Sequence, residues 1–437
     1  MNNTQNPATE LGGLSPMAFG GRRAFTRRGF LKSTTALAGS VTVYGALAIG
    51  QEGRKAGPPS ERIRYALIGC GGQGNAHLDA LSRLRKAGVP VEVVAVSDVY
   101  TVRLEAAMAK TSARGATEFQ RILDRKDIDA IGIATPDHWH ASMSIAAAES
   151  GKDVYCEKPM THWHDLTAPA QVAKTIVRTK RVMQVGTQGM SDSIWEQISE
   201  HVKAGKVGKL VHAQASDMRN GYIGLYDPKC KDAAIRPGVN LDWNRWLGPA
   251  AQRPWDPGRY LAFRCFWDYS AGVGTDFLPH LLTPLVRAMN LDFPRRVSAL
   301  GGVYAHTDGR ETPDIYNLVI EYPTGPTIYL AAGVANGVNL PMVIRGTLAT
   351  VYPRQSPGAL IRPEETTAPN AEDIKIERTR GESLDEHYRD FLSCVKSRQQ
   401  PRSNAQLGVM VMAALNLGIL AFRSGKAAEF DAKALGL

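Results

Sequence analysis

The feature that most constrains this chain is the run Gly69-Cys70-Gly71-Gly72-Gln73-Gly74, set between two segments of different periodicity. Residues 62–68 form a short β-rich stretch, and residues 75–86 carry Leu78, Leu81 and Leu84 at helical spacing. A second apolar strand, 91–96, ends at Ser97-Asp98, so an acid falls 24 residues after Gly74. A G-x-G-x-x-G run alone is a weak signal. Flanked by strand and helix and followed by that acid, it specifies a dinucleotide-binding unit. Gly69 permits the tight turn, Gly71 lets backbone approach a pyrophosphate, and Gly74 lets helix and strand pack closely, with Gly72 and Gln73 completing the cofactor loop. The helix N-terminus adds amide donors and the positive end of its dipole. Asp98 is placed to accept both ribose hydroxyls and repel a 2′-phosphate, which favours NAD over NADP. Its alternative role is to cap a helix over 99–110.

Alternation continues, with strands at 129–134, 153–156 and 181–185 and helices at 138–149 and 166–178. Such repetition demands a parallel sheet with right-handed crossovers, whose ligands bind beyond the carboxyl ends of the strands. Gly69, Asp98, Thr135 and Lys158 all fall at those ends. Farther on, the pattern predicts a helix at 191–203, strands at 210–218, 296–303, 315–321, 327–333 and 342–344, and a helical region over 384–423. Residues 353–380, polar and Pro-containing, read as a long loop or exposed hairpin.

The net charge of +10 asks for a test of nucleic-acid binding. Residues 1–50 hold five of the 52 Lys+Arg and one of the 42 Asp+Glu, so four of the ten charges lie there. The rest is spread thinly, without a basic run, which speaks against a nucleic-acid partner. Thr26-Arg27-Arg28-Gly29-Phe30-Leu31-Lys32, followed by a weakly apolar stretch over 33–50, resembles a twin-arginine export signal, with Ala46-Leu47-Ala48 placing cleavage near residue 48. The expected location is periplasmic or secreted, with no stable membrane insertion after cleavage. An uncleaved anchor is the alternative, although Gly39, Ser40, Thr42 and Gly45 dilute the apolar stretch. Residues 51–60 read as a linker.

Cys70, Cys156, Cys230, Cys265 and Cys394 are odd in number and scattered, so no disulfide framework or cysteine zinc site is indicated; a Cys230–Cys265 bridge is the one alternative. His138-Trp139-His140 and His162-Trp163-His164 have H-x-H spacing, but at loop-to-helix junctions i and i+2 point apart, so no metal is expected. Lys158, in Cys156-Glu157-Lys158-Pro159, is either a surface charge or a cation facing the ligand crevice, with Glu157 as a structural partner. Asp276 and His280, at i and i+4 on the first turn of a predicted helix, share a face, so that the carboxylate orients the imidazole.

Gly69-Cys-Gly-Gly-Gln-Gly74, Val96-Ser-Asp98, Ala134-Thr-Pro-Asp-His-Trp-His140, Cys156-Glu-Lys-Pro159 and Asp276-x-x-x-His280, in this order, resemble the glucose-fructose oxidoreductase / inositol dehydrogenase / rhizopine-catabolism (Gfo/Idh/MocA) family. Leu241-Asp-Trp-Asn-Arg-Trp-Leu-Gly-Pro249 and Phe266-Trp-Asp-Tyr-Ser270 look like a bacterial subgroup of it. The resemblance implies a doubly wound Rossmann α/β domain over 61–188 and an α+β domain over 189–437. The second is built on a large, mostly antiparallel sheet that joins copies into dimers or tetramers, and helices near 384–423 return to the first domain.

The resemblance further implies that Lys158 hydrogen-bonds the reacting hydroxyl, His280 takes its proton and Asp276 holds substrate and histidine. Gly69, Gly71, Gly74, Asp98, Thr135, Pro136, His140 and Glu157 match positions lining the dinucleotide. The implied activity is NAD-dependent oxidation of a secondary alcohol of a sugar or polyol, with a tightly held, internally recycled cofactor suited to export. A glycosidase that oxidises its sugar transiently and a non-catalytic sugar-binding protein are the rivals. Leu278, Thr283 and Met190 depart from residues common in the family, which leaves the particular carbohydrate open.

Overall fold

The computed structural model describes residues 61–221, 225–367 and 369–437. The export segment and linker expected over 1–60 lie outside the described residues. The glycine run behaves as its spacing predicts: β1 (Ile63–Ile68) enters it and α1 (Gly72–Lys86) leaves it, burying Gly74, His77, Leu78, Leu81 and Leu84. The helix starts at Gly72 rather than at residue 75, so the last glycines belong to its first turn. The alternation proceeds through β2 (Val91–Ser97), α2 (Thr101–Thr111), β3 (Arg114–Ala116), α3 (Phe119–Leu123), β4 (Ala130–Ile133), α4 (His140–Glu149), β5 (Asp153–Glu157), α5 (Ala168–Thr179) and β6 (Met183–Gly186).

These six strands form one sheet in the order β3-β2-β1-β4-β5-β6, every pair parallel. The order reverses between β1 and β4, which opens a crevice where the glycine loop lies. Strand β3 and helix α3 are additions to the sequence reading; both are too short to carry a periodic signal.

After α6 (Ile194–Lys203) and β7 (Leu210–Met218), short helices α7 (Trp243–Leu247), α8 (Pro257–Leu261) and α9 (Val273–Asp276) precede α10 (Leu278–Ala288). There follow β8 (Arg296–Gly302), β9 (Ile315–Glu321), β10 (Thr327–Gly333), β11 (Val343–Gly346), β12 (Ala349–Gln355), β13 (Gly358–Pro363) and β14 (Ile374–Ile376). Helices α11 (Leu384–Ser397) and α12 (Ala405–Ser424) and the short β15 (Ala428–Glu429) complete the described fold. The second sheet has nine strands, β14-β13-β12-β11-β7-β10-β9-β8-β15, antiparallel except for β7 with β10. The predicted fold class is borne out. Residues 353–380 are more ordered than a loop, because β12 and β13 pair as a hairpin and β14 adds to it.

One face of the second sheet is covered by α6, α10 and α12; along β8, Val297 and Ala299 are buried while Ser298 and Leu300 face out. Helix α12 is long and apolar enough to cross a membrane, yet 78% of its apolar window is buried in the protein, as in a core helix. Helix α11 instead packs on α1, and its Tyr388, Phe391, Leu392 and Val395 join the core that holds Ile63, Tyr65 and Leu67. All five cysteines are free thiols, so the Cys230–Cys265 alternative is not formed.

Candidate active site

A single cleft of about 940 Å³ runs from the glycine loop, past the ends of β2 and β4, to the loop after β5 and the start of α10. Gly69 lies at φ +90°, and a Cβ there would sit 2.6 Å from the Ala134 carbonyl oxygen. A Cβ at Gly74 would sit 2.0 Å from the Gly69 carbonyl oxygen, so α1 abuts the turn only because the residue is glycine. At Gly71 the nearest protein atom is Arg103 Nη1 at 3.4 Å, and at Gly72 nothing lies within 4 Å; those two leave room toward the cleft. Helix α1 has neither a side-chain cap nor an acid in its first turn, so its leading amides keep their donors. The loop therefore fits a dinucleotide phosphate.

Asp98 lines the same cleft. Its Oδ2 accepts from the Cys70 amide at 2.7 Å and its Oδ1 from the Tyr100 amide at 2.8 Å, which ties the end of β2 to the glycine loop. Burial raises its pKa, against the pull of the Tyr100 amide and Arg103. It does not cap α2, whose N-cap is Tyr100 without a side-chain cap bond.

Of the residues matched to the dinucleotide, Gly72, Gln73, Thr135, Pro136 and Glu157 also line the cleft, whereas Gly74 and His140 do not. His140 is buried behind the wall, with Nδ1 2.6 Å from the Pro159 carbonyl and Nε2 2.8 Å from the Thr135 carbonyl. Burial works against a charge on that ring, but Cys156, Asp137 and the Pro159 carbonyl outweigh it and push its pKa up to about 10. Two carbonyls facing two ring nitrogens require a doubly protonated imidazole. His140, expected to line the dinucleotide, instead ties the loop after β4 to the loop after β5. His138 packs on the second domain, its Nε2 3.1 Å from the Trp246 carbonyl. Among the described residues no group of three metal-type side chains converges.

Glu157 ends β5 in a buried position. Its Oε1 accepts from Gln73 Nε2 and His77 Nε2, both at 2.9 Å, and from Gln188 at 3.3 Å. Burial disfavours its charge, but the His77 and Gln73 bonds and nearby Lys158 prevail and hold its pKa down to about 2. Behind it the His77 Nδ1 meets the Tyr388 hydroxyl, which meets that of Tyr65 at 2.9 Å. The Lys158 ammonium pairs with Asp276 and not with Glu157, the structural alternative: Nζ donates to the Asp276 carbonyl at 3.0 Å and to its carboxylate.

Asp276 closes α9, and Pro279 sits in the first turn of the separate α10. The break takes Asp276 off the helix that carries His280, and no hydrogen bond joins the two among the described residues. The other Asp276 oxygen receives the Tyr226 hydroxyl at 2.9 Å and lies 3.0 Å from Arg264 Nε. Burial opposes ionisation of Asp276, yet Arg264 and Lys158 hold its pKa far below the usual carboxylate range. His280 faces the cleft, and burial, reinforced by Lys158, pushes its pKa down to about 4. A neutral imidazole, an ammonium and an ionised carboxylate thus converge at one end of a dinucleotide-sized cleft.

Sequence reasoning missed Tyr226 and Arg264. Both come from irregular segments remote from the Rossmann motifs. The signal available for Arg264 was the aromatic density of 255–269, where Trp255, Tyr260, Phe263, Phe266, Trp267 and Tyr269 join one core and Tyr260 and Phe263 reach the cleft.

Two models of one oxidoreductase family (Gfo/Idh/MocA) match the chain: its NAD-binding Rossmann fold over residues 63–187 and its C-terminal alpha/beta domain over 229–437. The chain belongs to this family. Among similar proteins, inositol 2-dehydrogenase 3 of Saccharopolyspora erythraea is 31% identical over 188 residues, 42% of this chain and 53% of that one. A glycosyl hydrolase family 109 protein of a Shewanella species is 27% identical over 174 residues, 36% of each chain. The chain spans about half the length, or less, of these curated relatives. Levoglucosan dehydrogenase, solved in complex with NADH and L-sorbose, superposes with a TM-score of 0.67 at 16% identity, over 85% of this chain and all of that one. That likeness is one of fold. The family match and the glycine cradle together make residues 63–187 an NAD-binding Rossmann domain.

Proposed function

We propose that the protein is an NAD-dependent oxidoreductase acting on a secondary alcohol of a sugar or polyol. The observation that carries this is the meeting of Lys158, Asp276 and neutral His280 at the end of the cleft away from Asp98. The names of the relatives, an inositol dehydrogenase and a levoglucosan dehydrogenase, support the substrate class.

When bound, NAD supplies the hydride acceptor. The chain's own residues supply the rest. His280 accepts the hydroxyl proton, a role open to it because its ring is neutral above about pH 4. The Lys158 ammonium faces the oxygen as it becomes negative, and stabilisation of that kind is worth several kcal/mol, about 3 for one donor. Asp276, held by Lys158, Arg264 and Tyr226, fixes the ammonium in place. Gly69 and Gly74 shape the phosphate loop, and Asp98 recognises the adenosine ribose.

Export through a twin-arginine signal and assembly through the second sheet belong to the same proposal. The outward face of that sheet presents Leu300 and Val319, 77% and 42% exposed, as an apolar area for a second copy. An exported protein meets little free NAD, so its cofactor would be carried in the folded chain and returned to its starting state by a second substrate.

The test is to denature the purified protein and seek NAD(H) by mass spectrometry, then offer a carbohydrate panel while following NADH absorbance. Sugar-dependent NADH or a matched oxidised product supports the reading. Neither bound nor added nucleotide would sink it. Release of nitrophenol from aryl glycosides without net NADH would instead favour the glycosidase suggested by the family 109 relative.

A further inference from the structure

We propose that the substrate is a sugar acid, whose carboxylate is gripped by Arg264. This rests on the oxidoreductase reading for the reacting hydroxyl and adds the chemical class of what lies beside it.

Arg264 sits in the turn Phe263–Cys265, with its guanidinium over the Phe263 ring at 4.5 Å. Its Nε lies 3.0 Å from Asp276 Oδ2, and its side chain is only 17% exposed. It lines the cleft, and among the described residues its guanidinium makes no hydrogen bond, not even from the buried Nε that approaches Asp276 to 3.0 Å. The other cations at this end are better matched. Arg219 makes a two-point pair with Asp217, at 2.9 and 2.8 Å, and lies over the Phe277 ring. Lys158 has both the carboxylate and the carbonyl of Asp276. Of the other acids here, Glu157 is met by His77, Gln73 and Gln188, and Asp137, which also acts on Arg264, accepts the Ser270 hydroxyl at 2.7 Å and has its pKa raised by burial, which disfavours its charge. Arg264 and Lys158 therefore share the Asp276 carboxylate, and Arg264 lines the cleft beside it with its fork unclaimed by any hydrogen bond among the described residues.

A guanidinium fork carries only donors and matches the two oxygens of a carboxylate. A neutral hydroxyl would engage one N–H and leave the enclosed charge short of an anion. A phosphate dianion would place two negative charges beside Asp276, where a carboxylate places one. Lys158 and Arg264 flank one Asp276 carboxylate, so an alcohol at Lys158 and an acid at Arg264 are separated by no more than the span of a single sugar ring. Uronic and aldonic acids have that layout.

The test reads binding rather than turnover. The NADH-loaded full chain is titrated by calorimetry at pH 7 with glucuronate against glucose, galacturonate against galactose, and glucose 6-phosphate. The acid of each pair is expected to bind at least tenfold more tightly than its neutral partner, and Arg264→Lys is expected to lower that ratio by tenfold. Equal affinities within pairs, no binding by any probe, or tighter binding of the phosphate would overturn the inference; if the variant fails to fold, the wild-type ratios decide. Acid preference without any turnover would uphold this inference and count against the oxidoreductase reading. Turnover of neutral sugars without acid preference would do the reverse.

Discussion

Lys158, on the loop after β5, and Asp276, at the end of α9, meet across the boundary between the two sheets, with the lysine ammonium on the aspartate's carbonyl and carboxylate together. Arg264 leans on the same carboxylate, so replacing Asp276 with Asn strands two cations in an enclosed place. Loss of one partner of such a buried pair costs about 3–5 kcal/mol. Asp276→Asn should lower the urea midpoint by a corresponding amount, and an unchanged midpoint would show that the pair is incidental to folding.

Lys158→Met removes the ammonium while keeping the length of the side chain. If that ammonium steadies a developing alkoxide, kcat should fall by about 100-fold or more while the Kd for NADH moves little. Parallel weakening of nucleotide affinity would instead place the lysine in cofactor binding.

His280 accepts a proton only when neutral, and its pKa lies at about 4 instead of the usual 6.5. The kcat/KM for alcohol oxidation should therefore stay level from pH 7 down to pH 5 and drop as pH falls through 4. An acid limb centred near 6.5 would show that the ring is better solvated than its surroundings imply. His280→Gln should remove the limb along with most of the rate.

Two glycines of the loop separate steric need from ligand access. Gly74→Ala forces a methyl against the Gly69 carbonyl oxygen and should cost about 1–3 kcal/mol of stability, with loss of NADH binding. Gly72→Ala meets nothing within 4 Å and starts a helix, so its thermal midpoint should equal or exceed that of the parent. Differential scanning calorimetry of both variants decides the matter.

The buried histidines predict a stability optimum near pH 6.5. Burial holds His138 and His387 neutral, with pKa values pushed down to about 4, so the unfolded chain takes up protons first and stability is lost as pH falls from 6.5 to 4. His140, with its pKa pushed up to about 10, has the opposite sign: its contribution is whole below 6.5 and is lost as pH rises toward 10. Each group contributes a slope of about 1.4 kcal/mol per pH unit within its window. Urea titrations at pH 4.5, 6.5 and 8.5 should give the highest stability in the middle.

The Rossmann sheet was legible because each of its long strands is apolar and each crossover helix has a clean apolar stripe, as with Leu78, Leu81 and Leu84. Strand β3, three residues long, has no such pattern, and β12 to β14 are hidden by Pro353, Pro357 and Pro363. Lys158 and His280 came from motif order. Asp276 came with them, but its attachment was misread, because Pro279 opens a new helix between it and His280. Tyr226 carried no local signature and Arg264 only the aromatic residues around it; what recommends both is a carboxylate they reach only after the chain has folded. His140 was matched correctly to a motif and assigned to the wrong side of the wall.

Tyr388 touches His77 and, through its hydroxyl, Tyr65, residues 311 and 323 positions earlier in the chain. Its helix seals one face of the parallel sheet, so the nucleotide-binding residues wait for a segment 311 positions farther along before their interior closes. The nucleotide-binding half cannot be cut out as a free-standing module without leaving that face wet. On the ribosome it would remain an unfinished shell until residue 395 or so had emerged.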